Sequence, residues 1–414
     1  MIKHYLSLDQ LRNYMDPGHY GFLCLCSDYK GVDFMRAIAE LGHRIYLVTS
    51  EAKMDKPWPY DILTDTFYMP GSDGRKWNLE HLEQGVAHMM RSTKIDRFIA
   101  LDDYEVRKVA MLREVFRIPG MGQTTARHFH DKLAMRLQAL AAGIPQPNFT
   151  ALFNDEAIAT WIAQHPAPWF LKRREDAGAL GIRKARTPEE LWNFVQEFGE
   201  KRHQYVAECY VSGDVFHVDS LMVGGKILFT RASQYLTPPF DVAHGGGIFQ
   251  SCTIDLNDPR HKELEEINAK VLHGFGMLHG ASHTEFIRDH DGQYYFLETS
   301  ARVGGAHLAD MVYHASGVNL WGEWARIESA LLKGEKYKAP KDEGLQAGII
   351  TSLSKIESPD YSQYIDPEIA WTIDKPYHIS FIFKNSDHYR VRWLIDKYCN
   401  IILNDYHAEL PLKE

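Results

Sequence analysis

The residues best suited to chemistry lie within 294–307, which reads Tyr-Tyr-Phe-Leu-Glu-Thr-Ser-Ala-Arg-Val-Gly-Gly-Ala-His. An aromatic and apolar run ends at Glu298, and Ser300, Arg302 and the pair Gly304-Gly305 follow. A strand that brings a carboxylate, a guanidinium and bare backbone to one place suits a metal ion and phosphate. Just upstream, residues 283–288 read His-Thr-Glu-Phe-Ile-Arg, and Asp-His-Asp-Gly leads into the second run. A two-residue type I′ turn at Asp291-Gly292 pairs His290 with Gln293 and sets Glu285 opposite Glu298. Cβ atoms of such cross-strand neighbours lie roughly 4.5–5.5 Å apart, where like charges repel. A divalent cation between them turns that cost into a site, because Mg²⁺ takes one or two carboxylates together with substrate phosphates. The alternative is a solvated hairpin with two unrelated glutamates, or a longer turn with a shifted register.

Two upstream lysines fit the same chemistry. In residues 168–184 a short apolar strand ends in Lys172 and enters a polar loop bearing Gly178 and Gly181. Glycines let backbone N–H groups approach phosphate oxygens, and lysine adds a point charge. No Gly-Lys-Ser/Thr follows, so this is not a Walker A loop, and an ordinary hairpin loop is the alternative. Lys132 lies in the first turn of a helix expected over 130–143, where a cation opposes the helix dipole unless an anion sits there. A surface lysine is the plainer account of that residue.

A chain of 414 residues can hold two or three domains around substantial cores. Hydrophobic content of 45% with 24% charged residues is that of a globular protein, and a net charge of −9 disfavours general nucleic-acid binding. No stretch reaches the length of a membrane span, and the first residues lack a signal core, so a cytoplasmic location is expected. Five cysteines without metal spacing are expected to be reduced and mostly buried.

The elements follow from periodicity and turn residues. Residues 21–26 and 44–49 read as strands around a helix over 33–42, and a strand at 96–101 leads into a helix ending near 116. This alternation predicts an open parallel sheet, without the glycine fingerprint of a dinucleotide site. The middle of the chain reads as antiparallel strands: one pair around Ser212-Gly213, another around Gly224-Gly225. Residues 234–249, with Pro238-Pro239 and three consecutive glycines, read as a substrate-facing loop. A helix is expected after Pro259, two more flank Gly317, and the last eighty residues read as a closing subdomain or oligomer surface, consistent with a homodimer.

In this order, Asp131-Lys132, Phe170-Leu-Lys172, the Gly178/Gly181 loop, Glu208-Cys-Tyr-Val211, and Glu285 with Glu298 and Arg302 resemble the ATP-grasp superfamily over roughly residues 20–330. Within it, the chain is similar to carboxylate–amine ligases related to bacterial L-amino acid ligases. The resemblance implies an N-terminal open parallel α/β domain (1–128), then an ATP-grasp fold of two α+β subdomains (129–206, with a glycine lid at 177–181, and 207–335), then a C-terminal α+β subdomain (336–414). It also implies that Lys132 and Lys172 contact ATP, that Glu208, Cys209, Tyr210 and Val211 line the adenine pocket, and that Glu285, Glu298 and Ser300 hold Mg²⁺ or Mn²⁺. Arg302 and Lys172 would then be catalytic, and Gly304 and Gly305 would face the substrate carboxylate. Two positions depart from the family pattern: Ser300 replaces a metal-binding asparagine, and Val215 stands where an acidic ribose contact is common, leaving adjacent Asp214 as the substitute. Tyr235, His244, His283 and His307 are candidates for the second substrate's pocket. The expected reaction joins a small carboxylate to an amine with formation of ADP and phosphate. Bicarbonate activation of the carboxylase or carbamoyl-phosphate type, and an ATP-binding pseudoenzyme, are the rivals.

Overall fold

The computed structural model describes residues 18–71, 76–176, 178 and 181–409, and three sheets carry the fold within them. The first is parallel, in the order β3-β2-β1-β4, built from β1 Gly21–Cys26, β2 Arg44–Ser50, β3 Asp65–Met69 and β4 Arg97–Ala100. Every residue of β1 is buried, as befits a strand covered on both faces. The order reverses direction between β1 and β4, and open α/β sheets take ligands at the carboxyl ends of strands flanking such a point. Asp102 stands there, its carboxylate accepting from Asp103 N–H to cap the helix Asp103–Phe116.

The second sheet is small and antiparallel, ordered β5-β8-β6-β7 from β5 Phe149–Ala151, β6 Trp169–Arg173, β7 Arg183–Ala185 and β8 Tyr205–Cys209. The third comprises β9 Asp214–Val223, β10 Lys226–Tyr235, β11 Phe249–Thr253, β12 Gly280–Arg288, β13 Tyr294–Ser300, β14 Gln346–Leu353, β15 Ile369–Thr372 and β16 His378–Asn385. Its order is β13-β12-β9-β10-β11-β14-β16-β15.

Three expectations change here. β8 and β9 do not pair around Ser212-Gly213; β8 pairs with β5 and β6, and β9 with β10 and β12, so residues 210–213 bridge two sheets. The expected loop over 234–249 contains the helix Pro239–Gly245 and delivers β11. Residues 336–414 form no sheet of their own: β14 pairs with β11, and β16 and β15 extend the same sheet. The helix His388–Asp405 buries Val391, Leu394, Ile395, Tyr398 and Ile402 in a cluster shared with β14 and β16.

The N-terminal sheet is tied to the large one by helix packing. Phe34, on the helix Val32–Glu40, and Trp324, on the helix Leu320–Lys333, meet with ring centroids 4.9 Å apart inside one core. That contact brings the carboxyl ends of β1 and β4 up to the loop after β13. The five cysteines are unpaired, and no helix among the described residues is long and apolar enough to cross a membrane.

Candidate active site

The hairpin β12–β13 sets the floor of the site. Asp289 N–H donates to Gln293 O, so the turn spans three residues rather than two, with Gly292 at φ 88 supplying the left-handed position. That alone would move Glu285 off Glu298. A bulge beside Leu297 restores the register, and Glu285 pairs with Glu298 and His283 with Ser300.

A cleft of about 520 Å³ opens over this face, between the small sheet, the large sheet and the N-terminal domain. Its size suits a nucleotide and a small substrate. Phe170, Tyr210, Val211, Val215, Ile287 and Leu297 give it an apolar wall. Charged groups gather at the other end.

Each cation there is already held by a carboxylate. Lys132 Nζ lies 2.9 Å from Glu298 Oε2 and donates to Asp176 O at 2.5 Å. Burial works against its charge, yet Glu298 outweighs this and raises its pKa. The capping carboxylate of Asp131, bonded by Leu133 N–H and Arg174, fixes the start of that helix. Lys172 Nζ lies 2.8 Å from Glu208 Oε2, and Arg136 Nε donates to Glu208 Oε1 at 2.9 Å. Burial opposes ionisation of Glu208, but Arg136 and Lys172 prevail and bring its pKa down to about 2. Glu208 therefore orients Lys172 from below.

Arg302 is gripped by the N-terminal domain. Its Nη2 donates to Asp103 Oδ2, its Nη1 donates to Val303 O at 2.8 Å, and its Nε is 3.8 Å from Asp102 Oδ1. Lys30 Nζ, from the loop after β1, is 2.8 Å from the same Asp102 oxygen. Burial would lower the Arg302 pKa, but Asp103 and Asp102 raise it; the Asp103 carboxyl is held well below its usual range although burial opposes this.

Glu285 is held from one side. Tyr235 O–H donates to Glu285 Oε1 at 2.8 Å, and His283 Nε2 lies 3.7 Å from the same oxygen. Burial would depress the His283 pKa, but Asp219 and Glu285 lift it to about 10. Burial raises and His283 and Tyr235 lower the Glu285 carboxyl, the net shift being downward. Glu285 Oε2 carries none of these contacts, and with Glu298 and Ser300 on the same face the residues fit a hard, oxygen-liganded cation such as Mg²⁺.

The expected site residues thus fall into two groups. Lys132, Lys172, Gly178, Glu208, Cys209, Tyr210, Val211, Tyr235, His283, Glu285, Glu298, Ser300, Arg302 and Gly305 line the cleft. Gly181, Asp214, Gly304, His244 and His307 are outside its lining. Asp214 is exposed at the start of β9, and the next residue, Val215, turns to the cleft instead, as strand alternation requires. His307, at φ 60, pairs with Asp310 at 2.8 Å and packs against Trp371 with the two rings tilted by 40°. His244 stacks on Phe240 with centroids 4.2 Å apart. A side chain on Gly304 would stand 2.9 Å from both Asp219 Oδ1 and His283 Nδ1, so this glycine serves close approach of the loop. Of the expected lid, Ala177, Ala179 and Leu180 lie outside the described residues; Gly178 and Gly181 have φ 77 and 69. The sequence reading missed Arg136, Asp219 and the roles of Asp102 and Asp103, whose partners lie far away along the chain.

A parallel α/β domain, a small antiparallel sheet and a large sheet closing on a cleft of lysines, arginine and paired glutamates have the architecture of the ATP-grasp fold. No family model matches the chain. Among curated proteins it is 28% identical, over 233 residues, to an L-arginine-specific L-amino acid ligase of Bacillus subtilis, covering 55% of this chain and 56% of that one. The chain thus spans little more than half the length of that relative. Among solved structures, L-amino acid ligase from Bacillus licheniformis matches with TM-score 0.72 at 17% identity, over 95% of this chain and 99% of that one. N5-carboxyaminoimidazole synthetase from Staphylococcus aureus, complexed with ADP, matches with TM-score 0.71 at 13% identity, over 92% and 97%.

Proposed function

We propose that this protein is an ATP-dependent carboxylate–amine ligase that activates the carboxylate of an amino acid as an acyl phosphate and joins it to an amine. The observation that carries the proposal is the convergence of Lys132, Lys172 and Arg302 with Glu285 and Glu298 on one cleft. The similarity to an L-amino acid ligase supports the substrate class.

A carboxylate is a poor electrophile, so its oxygen first attacks the γ-phosphorus of ATP and the bond to the bridging oxygen of ADP breaks. The amine nitrogen then attacks the acyl carbon, loses a proton, and phosphate leaves with one carboxylate oxygen. Lys172, aimed by Glu208, and Lys132 meet the phosphates, and the apolar wall around Phe170, Tyr210 and Ile287 takes the base. Glu285 and Glu298, with Ser300 beside them, would hold Mg²⁺, which would supply charge neutralisation to the phosphoryl group when bound. Arg302, clamped by Asp103, offers fixed positive charge beside the developing acyl phosphate, a preorganised electrostatic contribution. The backbone of Gly305 and the cleft edge near Tyr104 and Lys30 receive the small-molecule substrates.

A second reading, bicarbonate activation, is favoured by the fold likeness to a biotin carboxylase domain solved with MgADP and bicarbonate. One assay separates the two: ADP release with ATP and Mg²⁺ across amino acids, singly and in pairs, and with bicarbonate. Release that requires two amino acids is expected. Release driven by bicarbonate alone overturns the ligase reading in favour of the second, and silence throughout overturns both.

A further inference from the structure

Beneath Glu285 the sheet face carries a line of buried polar groups that phosphoryl transfer does not use. Ser251 Oγ on β11 is 2.8 Å from His217 Nε2, and His217 Nδ1 is 3.0 Å from Asp219 Oδ2, both on β9. The other oxygen of Asp219 is 2.9 Å from His283 Nδ1 on β12. His217, Asp219 and Ser251 are fully buried, and no accessible substrate group reaches them. Donor atoms of His217, Asp219 and His283 lie within 4.8 Å of one another, a spacing compatible with a metal, yet every ring nitrogen in the group already faces a side-chain partner.

The line ends at one atom. His283 Nε2 and Tyr235 O–H both approach Glu285 Oε1, at 3.7 and 2.8 Å, and the Tyr235 hydrogen bond is made to that oxygen. We propose that Tyr235, with His283 braced by Asp219 and His217, acts as a positioning device that restricts Glu285 to one metal-facing oxygen and thereby favours Mg²⁺ over Ca²⁺. The inference rests on the ligase-site reading above and deepens it. Its chemistry is that of the two ions. Mg²⁺ demands near-octahedral geometry at about 2.1 Å, whereas Ca²⁺ accepts six to eight oxygens and readily takes both oxygens of a carboxylate. Presenting both oxygens to one ion draws on Glu285 Oε1, whose electron density and orientation are already engaged by a charge-assisted hydrogen bond from Tyr235 that opposes the rotation. Removing that donor lowers the barrier to bidentate binding, and the larger ion gains more. Gly304 closes the loop of Arg302 down upon the Asp219–His283 pair, so the brace is also fixed from above.

The test is metal binding rather than turnover. Mn²⁺ bound to the purified full-length chain in the presence of ADP is followed by electron paramagnetic resonance and displaced with Mg²⁺ or Ca²⁺. Wild type should release Mn²⁺ at lower Mg²⁺ than Ca²⁺ concentration. In Tyr235→Phe the ratio of the two midpoints should move toward Ca²⁺ by fivefold or more, and Asp219→Asn should move it the same way. Circular dichroism checks that each variant is folded; if Asp219→Asn is not, Tyr235→Phe alone decides. An unchanged ratio in Tyr235→Phe, or an equal loss of both ions, overturns the inference while leaving the ligase site standing. Failure of the wild type to bind Mn²⁺ with ADP overturns the site reading and the inference with it.

Discussion

Glu208→Gln isolates the charge that sits beneath Lys172. In the wild type this carboxylate is buried between Arg136 and Lys172, with partners at 2.9 and 2.8 Å. Its pKa of about 2 lies below the roughly 4.3 of a free glutamate, a difference of over two units, or about 3 kcal/mol. The sign follows from linkage: a lowered carboxyl pKa gives stability that is present above pH ~4.3 and lost as pH falls toward 2. Glutamine removes the charge and leaves Arg136 buried with neutral acceptors only, the new amide oxygen and the carbonyls of Phe296 and Leu297 at 3.4 and 2.7 Å. Breaking a buried pair from one side costs ~3–5 kcal/mol, and the remaining carbonyls put this case at the lower end. Urea unfolding read by tryptophan fluorescence suits the measurement, because Trp161 and Trp169 lie in the core of the small sheet that carries Glu208. At pH 7 the midpoint should fall by about 1 M urea or more, given m-values of ~1–3 kcal/mol/M. The gap between variant and wild type should narrow as pH drops below 4. A midpoint within about 0.2 M of wild type at pH 7, roughly the effect of a surface substitution, would refute the buried-sandwich reasoning.

Lys172→Ala and Glu298→Gln should each reduce turnover at least ~100-fold while circular dichroism shows the variant still folded, since the lost charge acts mainly on the transition state; near-wild-type kcat in either removes that residue from the site. Ser300→Asn should leave Mg²⁺ affinity unchanged or tighten it in a titration of ADP binding, whereas marked weakening would place Ser300 away from the metal. His43 accepts from Tyr20 N–H through Nδ1 and faces Ser329 Oγ at 2.7 Å, and burial followed by Lys333 holds its pKa down to about 4. Protonation is therefore resisted in the fold, and stability should fall by up to ~3 kcal/mol as pH drops from 6.5 to 4; an identical pH profile in His43→Gln would count against this.

The two glutamates were legible because a carboxylate pair at matched positions of a hairpin is a local signal, yet the route to them was not. The turn is one residue longer than Asp291-Gly292 suggests, and the bulge at Leu297 compensates, so the expected pairing holds through two departures. Strand parity also decided Asp214: a carboxylate one residue from the cleft-facing position points elsewhere, and Val215 lines the wall. His307 looked available beside two glycines, but its left-handed backbone turns it onto Trp371. The Arg302–Asp103 grip joins residues 199 apart, and Arg136 reaches Glu208 across 72. Such pairs depend on how domains dock, and nothing local announces them. The C-terminal strands were visible individually, but their joining to β11 depended on recognising a strand within a stretch rich in proline and glycine.

The most direct test of the central claim, that a carboxylate is activated by phosphorylation, is the fate of its oxygen. Amino acid labelled with heavy oxygen in the carboxylate is turned over once with ATP, and phosphate and nucleotide are examined by mass spectrometry. Attack on the γ-phosphorus predicts ADP together with phosphate carrying one labelled atom. AMP and pyrophosphate, or unlabelled phosphate despite amide formation, would contradict the account.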